Sequence, residues 1–177
     1  MYKLLITCVL TFLLVQDDRS IAWDHNKELE WSDFNGTPTY GTTVAAVTAS
    51  GITFGYSSKM SETRLVDYSA YVDAHFYPDK SWYIEGSVNA FILDHERLHF
   101  DITELHVRKL KKRIAQTTFT LNIETEMNSL HTAVNDDLAQ MQQIYDLESD
   151  HSQNIEKQKE WQRFINLELA KLAYYSK

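Results

Sequence analysis

The segment His95-Glu96-Arg97-Leu98-His99 sets two imidazoles four residues apart, with a carboxylate next to the first. In a helix, residues four apart project from one face, about 6 Å apart along the axis. Two imidazoles so related can converge on one tetrahedral Zn²⁺, each giving a nitrogen at about 2.0–2.1 Å. Glu96 lies about 100° round the helix from His95 and about 60° from His99, beside the metal without being a ligand. From there its carboxylate can take a proton from a zinc-bound water, whose pKa the metal lowers to about 7. The spacing therefore offers two ligands, a general base and an open coordination position, which is what metal-assisted hydrolysis needs. The plainer alternative is a pair of core-facing histidines satisfied by hydrogen bonds.

A zinc site of this kind needs a third protein ligand from elsewhere in the chain. His151 is the first choice, at the end of Tyr145-Asp146-Leu147-Glu148-Ser149-Asp150-His151, with Glu148 and Asp150 as carboxylate alternatives. The oxyanion formed when water attacks a peptide carbonyl needs a further donor. Tyr145, six residues before His151, is the candidate. Asp101 and Asp150 could orient ligand imidazoles through their free N–H groups. His106 shares the metal face but lies about 10 Å beyond His99 along the axis, so it reads as a core histidine. Ile102 stands where the shorter zinc motifs require glycine, three residues after the second histidine.

The element that must carry the motif is a helix from Ser87, its N-cap, to Arg113. Val88, Phe91, Ile92, His95, Leu98, His99, Ile102, Leu105 and His106 recur at three- and four-residue steps and form its buried face. Asp94, Arg97, Asp101, Glu104 and Arg108 are expected on the other face. Two further helices are predicted over 121–145 and 153–175. Upstream, 42–48 and 52–56 read as short strands separated by Ser50-Gly51. Residues 66–77 alternate with a period of two, the mark of a half-buried strand, and stop at Pro78-Asp79-Lys80. An N-terminal antiparallel strand layer packed against a C-terminal helical half makes an α+β domain.

The chain has 177 residues, 44% hydrophobic and 24% charged, with five glycines and two prolines, which suits a single domain with a real core. Its net charge of −8 argues against nucleic acid, which a basic face must attract. The one basic cluster, from Arg108 to Arg113, falls in the last turns of the metal helix, where cations complement the helix dipole. Lys3 and the apolar run from Leu4 to Val15 are too short to span a bilayer as a mature helix, but they suit a secretory leader. Small residues at Ser20 and Ala22 place its cleavage before Trp23; an uncleaved anchor is the alternative. The expected organisation is thus a leader over 1–22 and one domain over 23–177, exported to the periplasm or outside the cell, with no membrane span after cleavage. Cys8, the only cysteine, departs with the leader, and no Gly-x-Ser-x-Gly motif is present, so nucleophilic hydrolysis lacks its residues.

Leu29-Glu30-Trp31-Ser32-Asp33-Phe34-Asn35-Gly36, Ser81-Trp82 and the block from Leu93 to Ile102 resemble a bacterial family, DUF922, described as predicted secreted zinc-dependent proteases. Tyr145-Asp146, Asp150-His151-Ser152 and Gln158 resemble it too, so the likeness spans roughly 29 to 161. Arg97-Leu98 departs from the family, where Gln or Glu and then a small residue are expected. The resemblance implies a zincin-like peptidase, with His95 and His99 as zinc ligands and Glu96 as base, and it favours His151 as third ligand. The expected partner is a peptide or protein substrate, held by the 66–77 strand through backbone pairing. The rival expectation is an exported zinc-binding structural or interaction domain without turnover.

Overall fold

A computed structural model describes residues 19–41 and 44–176. Strands β1 (Ile21–Ala22), β2 (Ala46–Val47), β3 (Ser50–Met60), β4 (Leu65–Phe76) and β5 (Trp82–Tyr83) precede helices α1 (Ala90–Gln116), α2 (Ile123–Ser149) and α3 (Ile155–Lys171). The arrangement is α+β, with antiparallel strands followed by three helices. β3 and β4 form a long hairpin running from Ser50 opposite Phe76 to Met60 opposite Leu65. β1 adds to the far side of β4, giving the order β1-β4-β3, and β2 pairs with β5 as a separate ribbon.

The period-two pattern of β4 directs Tyr68, Val72, Ala74 and Phe76 to the helices, joined by Ile52, Phe54 and Tyr56 of β3. Ser50 and Gly51 are not a break between strands: both belong to β3. Ser50 is tied to α1 through Thr103, Oγ to Oγ1 at 2.7 Å. A Cβ on Gly51 would sit 3.3 Å from the Tyr77 ring, so the missing side chain lets that ring lie close. The 42–48 strand is reduced among the described residues to Ala46–Val47.

α1 starts two residues later than its sequence suggests. Asn89 is the N-cap, its Oδ1 accepting from the Ile92 N–H at 3.0 Å, while Ser87 closes the preceding turn onto Ile84 O. The helix runs through the middle of the protein, with the sheet on one side and α2 and α3 on others, so its polar face is not free. Glu104 and Arg108, expected in solvent, are 5% and 6% exposed and pair at 2.7 Å. Arg108 also donates to Leu169 O at 2.8 Å and lies 5.2 Å from the Trp23 ring. Burial pushes the Glu104 carboxyl up, with Arg108 opposing. Burying that charge demands such partners.

Two apolar clusters flank α1. One joins the sheet to Phe100, Val107, Leu110, Ile123, Met127 and Val134. The other sets Leu98, Ile102 and Leu105 against Leu138 and Tyr145 of α2 and Ile165 and Leu169 of α3. Trp23 and Ile52 touch both. Trp23 is further held by its N–H on Ala74 O at 3.0 Å and its indole N–H on Asp101 Oδ1 at 2.7 Å. The apolar run of the expected leader and Cys8 lie outside the described residues; its last two residues, Ile21 and Ala22, form β1. Among the described residues no helix is long and apolar enough to cross a membrane.

His106 is the satisfied core histidine its spacing suggests. Its Nδ1–H donates to Ile102 O at 2.8 Å, and Lys109 Nζ approaches Nε2 at 3.4 Å. Burial lowers its pKa from 6.5 to about 4. The unfolded chain therefore takes this proton first, so stability present above pH 6.5 is lost as the pH falls toward 4. The loss should reach up to about 3 kcal/mol. Urea midpoints compared between pH 7 and 4.5 should show this loss in the wild type, and His106→Gln should lack that component.

Candidate metal centre

The four-residue step on α1 points His95 and His99 together at α2. There Gln142 and Asp146, also four apart, face them. Asp146 Oδ1 lies 2.8 Å from His99 Nε2 and 3.1 Å from His95 Nε2, and the two Nε2 atoms are 3.1 Å apart. These three atoms form a nearly equilateral triangle. Edges of a tetrahedral site with N and O ligands at about 2.0–2.2 Å are about 3.3 Å, only a few tenths longer. His95, His99 and Asp146 are the one group of three or more potential ligands among the described residues whose donor atoms come together in this way.

The electrostatics fit such a grouping. Burial raises the Asp146 carboxyl, but hydrogen bonds and charge from His95 and His99 outweigh it and hold Asp146 far below the usual carboxylate range. Burial lowers His99, yet its hydrogen bond to Asp146 and the charges of Glu96 and Asp146 raise it overall. A carboxylate and two imidazoles this close must share protons or a cation.

Each histidine of the group has its own support. His95 is 5% exposed and stacks on the Tyr145 ring, centroids 4.5 Å apart and 25° from parallel. Its Nδ1 is buried without a hydrogen-bond partner among the described residues. His99 meets Tyr145 edge to face at 5.0 Å, and its Nδ1 bonds to Gln142 Oε1. Glu96 is buried beside the group without joining it, close enough that its charge raises both His99 and Tyr145. Thr48 Oγ1 donates to the Glu96 carbonyl at 3.2 Å and fixes the wall opposite. A cleft of about 390 Å³ opens here, lined by Thr48, Ser50, His99, Asn135, Gln142 and Asp146 among others.

Tyr145 is in the site, but as its floor. It is fully buried, and its hydroxyl lies 3.5 Å from His95 O, the acceptor it faces. His151 is exposed and is not brought into the group. It sits in the turn after α2, where Asp150, His151 and Ser152 all have positive φ, and its N–H donates to Asp146 O at 2.9 Å. Glu148 accepts from the Trp161 indole at 2.9 Å and Asp150 caps α2, so neither joins the group. Asp101 is engaged with Trp23 rather than with an imidazole. His131 stacks on Phe54 at 4.8 Å. β4, expected to hold a substrate, is the middle strand; the strand bordering the cleft is β3. Sequence reasoning missed Asp146 and Gln142. The available signal was their four-residue spacing at the end of the helix predicted over 121–145, which runs on to Ser149.

The fold and donor set define an α+β protein in which two histidines of the central helix and an aspartate of α2 form a group able to hold a metal ion. The chain belongs to DUF922, a bacterial protein family of unknown function, whose pattern matches residues 25–154. No curated protein and no solved structure matches the chain.

Metal content should separate the candidate third ligands. Asp146→Ala and His95→Ala are each expected to lose metal on dialysis, beyond the roughly 10–100-fold weakening of an outer-shell change. His151→Ala is expected to keep it. The reverse order for Asp146 and His151 would return the third position to His151.

Proposed function

We propose that this protein is an exported zinc-dependent peptidase, with His95, His99 and Asp146 as ligands and Glu96 as general base. The observation that carries the reading is the convergence of the three donor atoms beside buried Glu96 at an open cleft. Two imidazole nitrogens and a carboxylate oxygen are zinc donors, and three protein ligands leave a position for water or substrate. Bound there, zinc supplies Lewis acidity that polarises a carbonyl and lowers the pKa of water to about 7.

The chain's own residues do the rest. Glu96 takes a proton from the attacking water and passes it to the leaving amine. Its burial among His99 and Tyr145 limits competing solvent. Thr48, Ser50 and Asn135 offer hydroxyl and amide groups along the cleft for a peptide backbone. β3 is the last strand of its sheet on this side, so an extended peptide can add to its free edge. Tyr145 keeps His95 in place by stacking; to act as an oxyanion donor its hydroxyl must first leave His95 O. Export rests on the apolar run after Lys3. Cleavage after Ala22 leaves one domain over 23–177, beginning at Trp23 and anchored by Ala74 and Asp101.

Glu96→Gln tests the assignment. It removes the base while keeping shape, so hydrolysis of an unfolded protein substrate by the zinc-loaded chain should fall by about 10²–10⁴. Zinc content and melting temperature should stay near wild type. Zinc uptake with no hydrolysis by either protein would leave the site as a binding centre without turnover.

A further inference from the structure

Gln142 lies in no motif read from the sequence, yet both ends of its side chain are engaged beside His99. Nε2 donates to His99 O at 2.9 Å and approaches Thr103 Oγ1 at 3.4 Å. Oε1 meets His99 Nδ1. The amide cannot be turned round. A peptide carbonyl only accepts, so the group facing His99 O must be the NH₂, which leaves the oxygen for the imidazole. That oxygen also only accepts, so Nδ1 must carry a proton.

The surrounding hydroxyls join the same network. Thr103 Oγ1 lies 3.2 Å from His99 O, shares a hydrogen bond with Ser50 Oγ at 2.7 Å and faces Gln142 Nε2. The network thus joins Ser50 at the cleft wall through Thr103 to the His99 carbonyl, with Gln142 closing it onto the ring.

We infer that Gln142 is a positioning residue for the metal centre, holding His99 in the tautomer that presents the Nε2 lone pair beside Asp146. The inference rests on the zinc reading above and deepens it. Gln142 acts through His99 and takes no part in bonding to the ion. Placed one turn before Asp146 on α2, it lets a single helix face deliver both a ligand and the group that aims its neighbour. Among the described residues His95 has no equivalent, since its Nδ1 meets no hydrogen-bond partner there and its ring is held by stacking. The two histidines are therefore held by different means, and only one of them depends on Gln142.

The test uses the full chain with Zn²⁺ in equilibrium dialysis and Co²⁺ as a visible-absorption probe. Gln142→Met keeps length and shape but removes the acceptor. It should weaken Zn²⁺ binding about 10–100-fold and alter the Co²⁺ spectrum. Gln142→Glu gives up the N–H to His99 O but keeps an acceptor on Nδ1, and should bind at least about tenfold more tightly than Gln142→Met. Thr103→Val, which removes one support of the amide, should show a smaller loss in the same direction. Wild-type affinity and an unchanged Co²⁺ spectrum in a cooperatively melting Gln142→Met would overturn the inference while leaving the metal centre intact. Failure of the wild type itself to take up either ion would instead overturn the zinc reading, and this inference with it.

Discussion

Asp146 Oδ1 lies between His95 Nε2 and His99 Nε2, and this shared oxygen ties α2 to α1 where the cleft opens. A half-buried carboxylate there costs several kcal/mol unless it is matched by positive charge or donors. The two imidazoles supply that match, and the same demand makes the trio a place for a cation. The rotation and height of α2 against α1 must therefore be right to within hydrogen-bonding distance. Much of the remaining structure serves that tolerance.

The apolar packing sets it. Leu98, Ile102 and Leu105 of α1 interlock with Leu138 and Tyr145 of α2, and Ile165 and Leu169 of α3 close the group from behind. Tyr145 serves both purposes, filling the core and backing His95. The sheet fixes the other side of α1 through Val72, Ala74, Phe76 and Phe100. Trp23 joins the two clusters near the start of the described chain, while its indole engages Asp101. A helix enclosed in this way has little room to rotate, so His95 and His99 on it are held by the core rather than by local interactions alone.

The turn that ends α2 carries strain close by. Asp150, His151 and Ser152 take left-handed backbone angles without a glycine among them, at a cost of about 1–2 kcal/mol each. The benefit visible in the fold is an abrupt reversal: His151 N–H bonds back to Asp146 O, and Asn154 N–H to Ser149 O at 2.7 Å. The last turn of α2 is thereby finished soon after Asp146, and α3 starts immediately under its own Asn154 cap. That reversal also keeps His151 on the outside.

Local periodicity determined a good deal by itself. The i, i+4 step of His95 and His99 fixes their common face whatever packs against it. The alternation in 66–77 marks β4, and the loss of glycine and proline after Ser87 marks the helical half. Capping was less legible, because Ser87 and Asn89 are both good caps and only the turn at Ile84 distinguishes them. Burial of Glu104 and Arg108 was hidden, since a one-face pattern cannot show that a helix is covered on several sides. The third member of the His/His/Asp group was hidden for the same reason. Asp146 stands 51 residues from His95, and nothing in spacing along a chain records which turn of one helix meets which turn of another. Side-chain chemistry nominated the histidines, but the crossing of α1 and α2, decided by the shape of their apolar faces, chose Asp146 and Gln142 over His151.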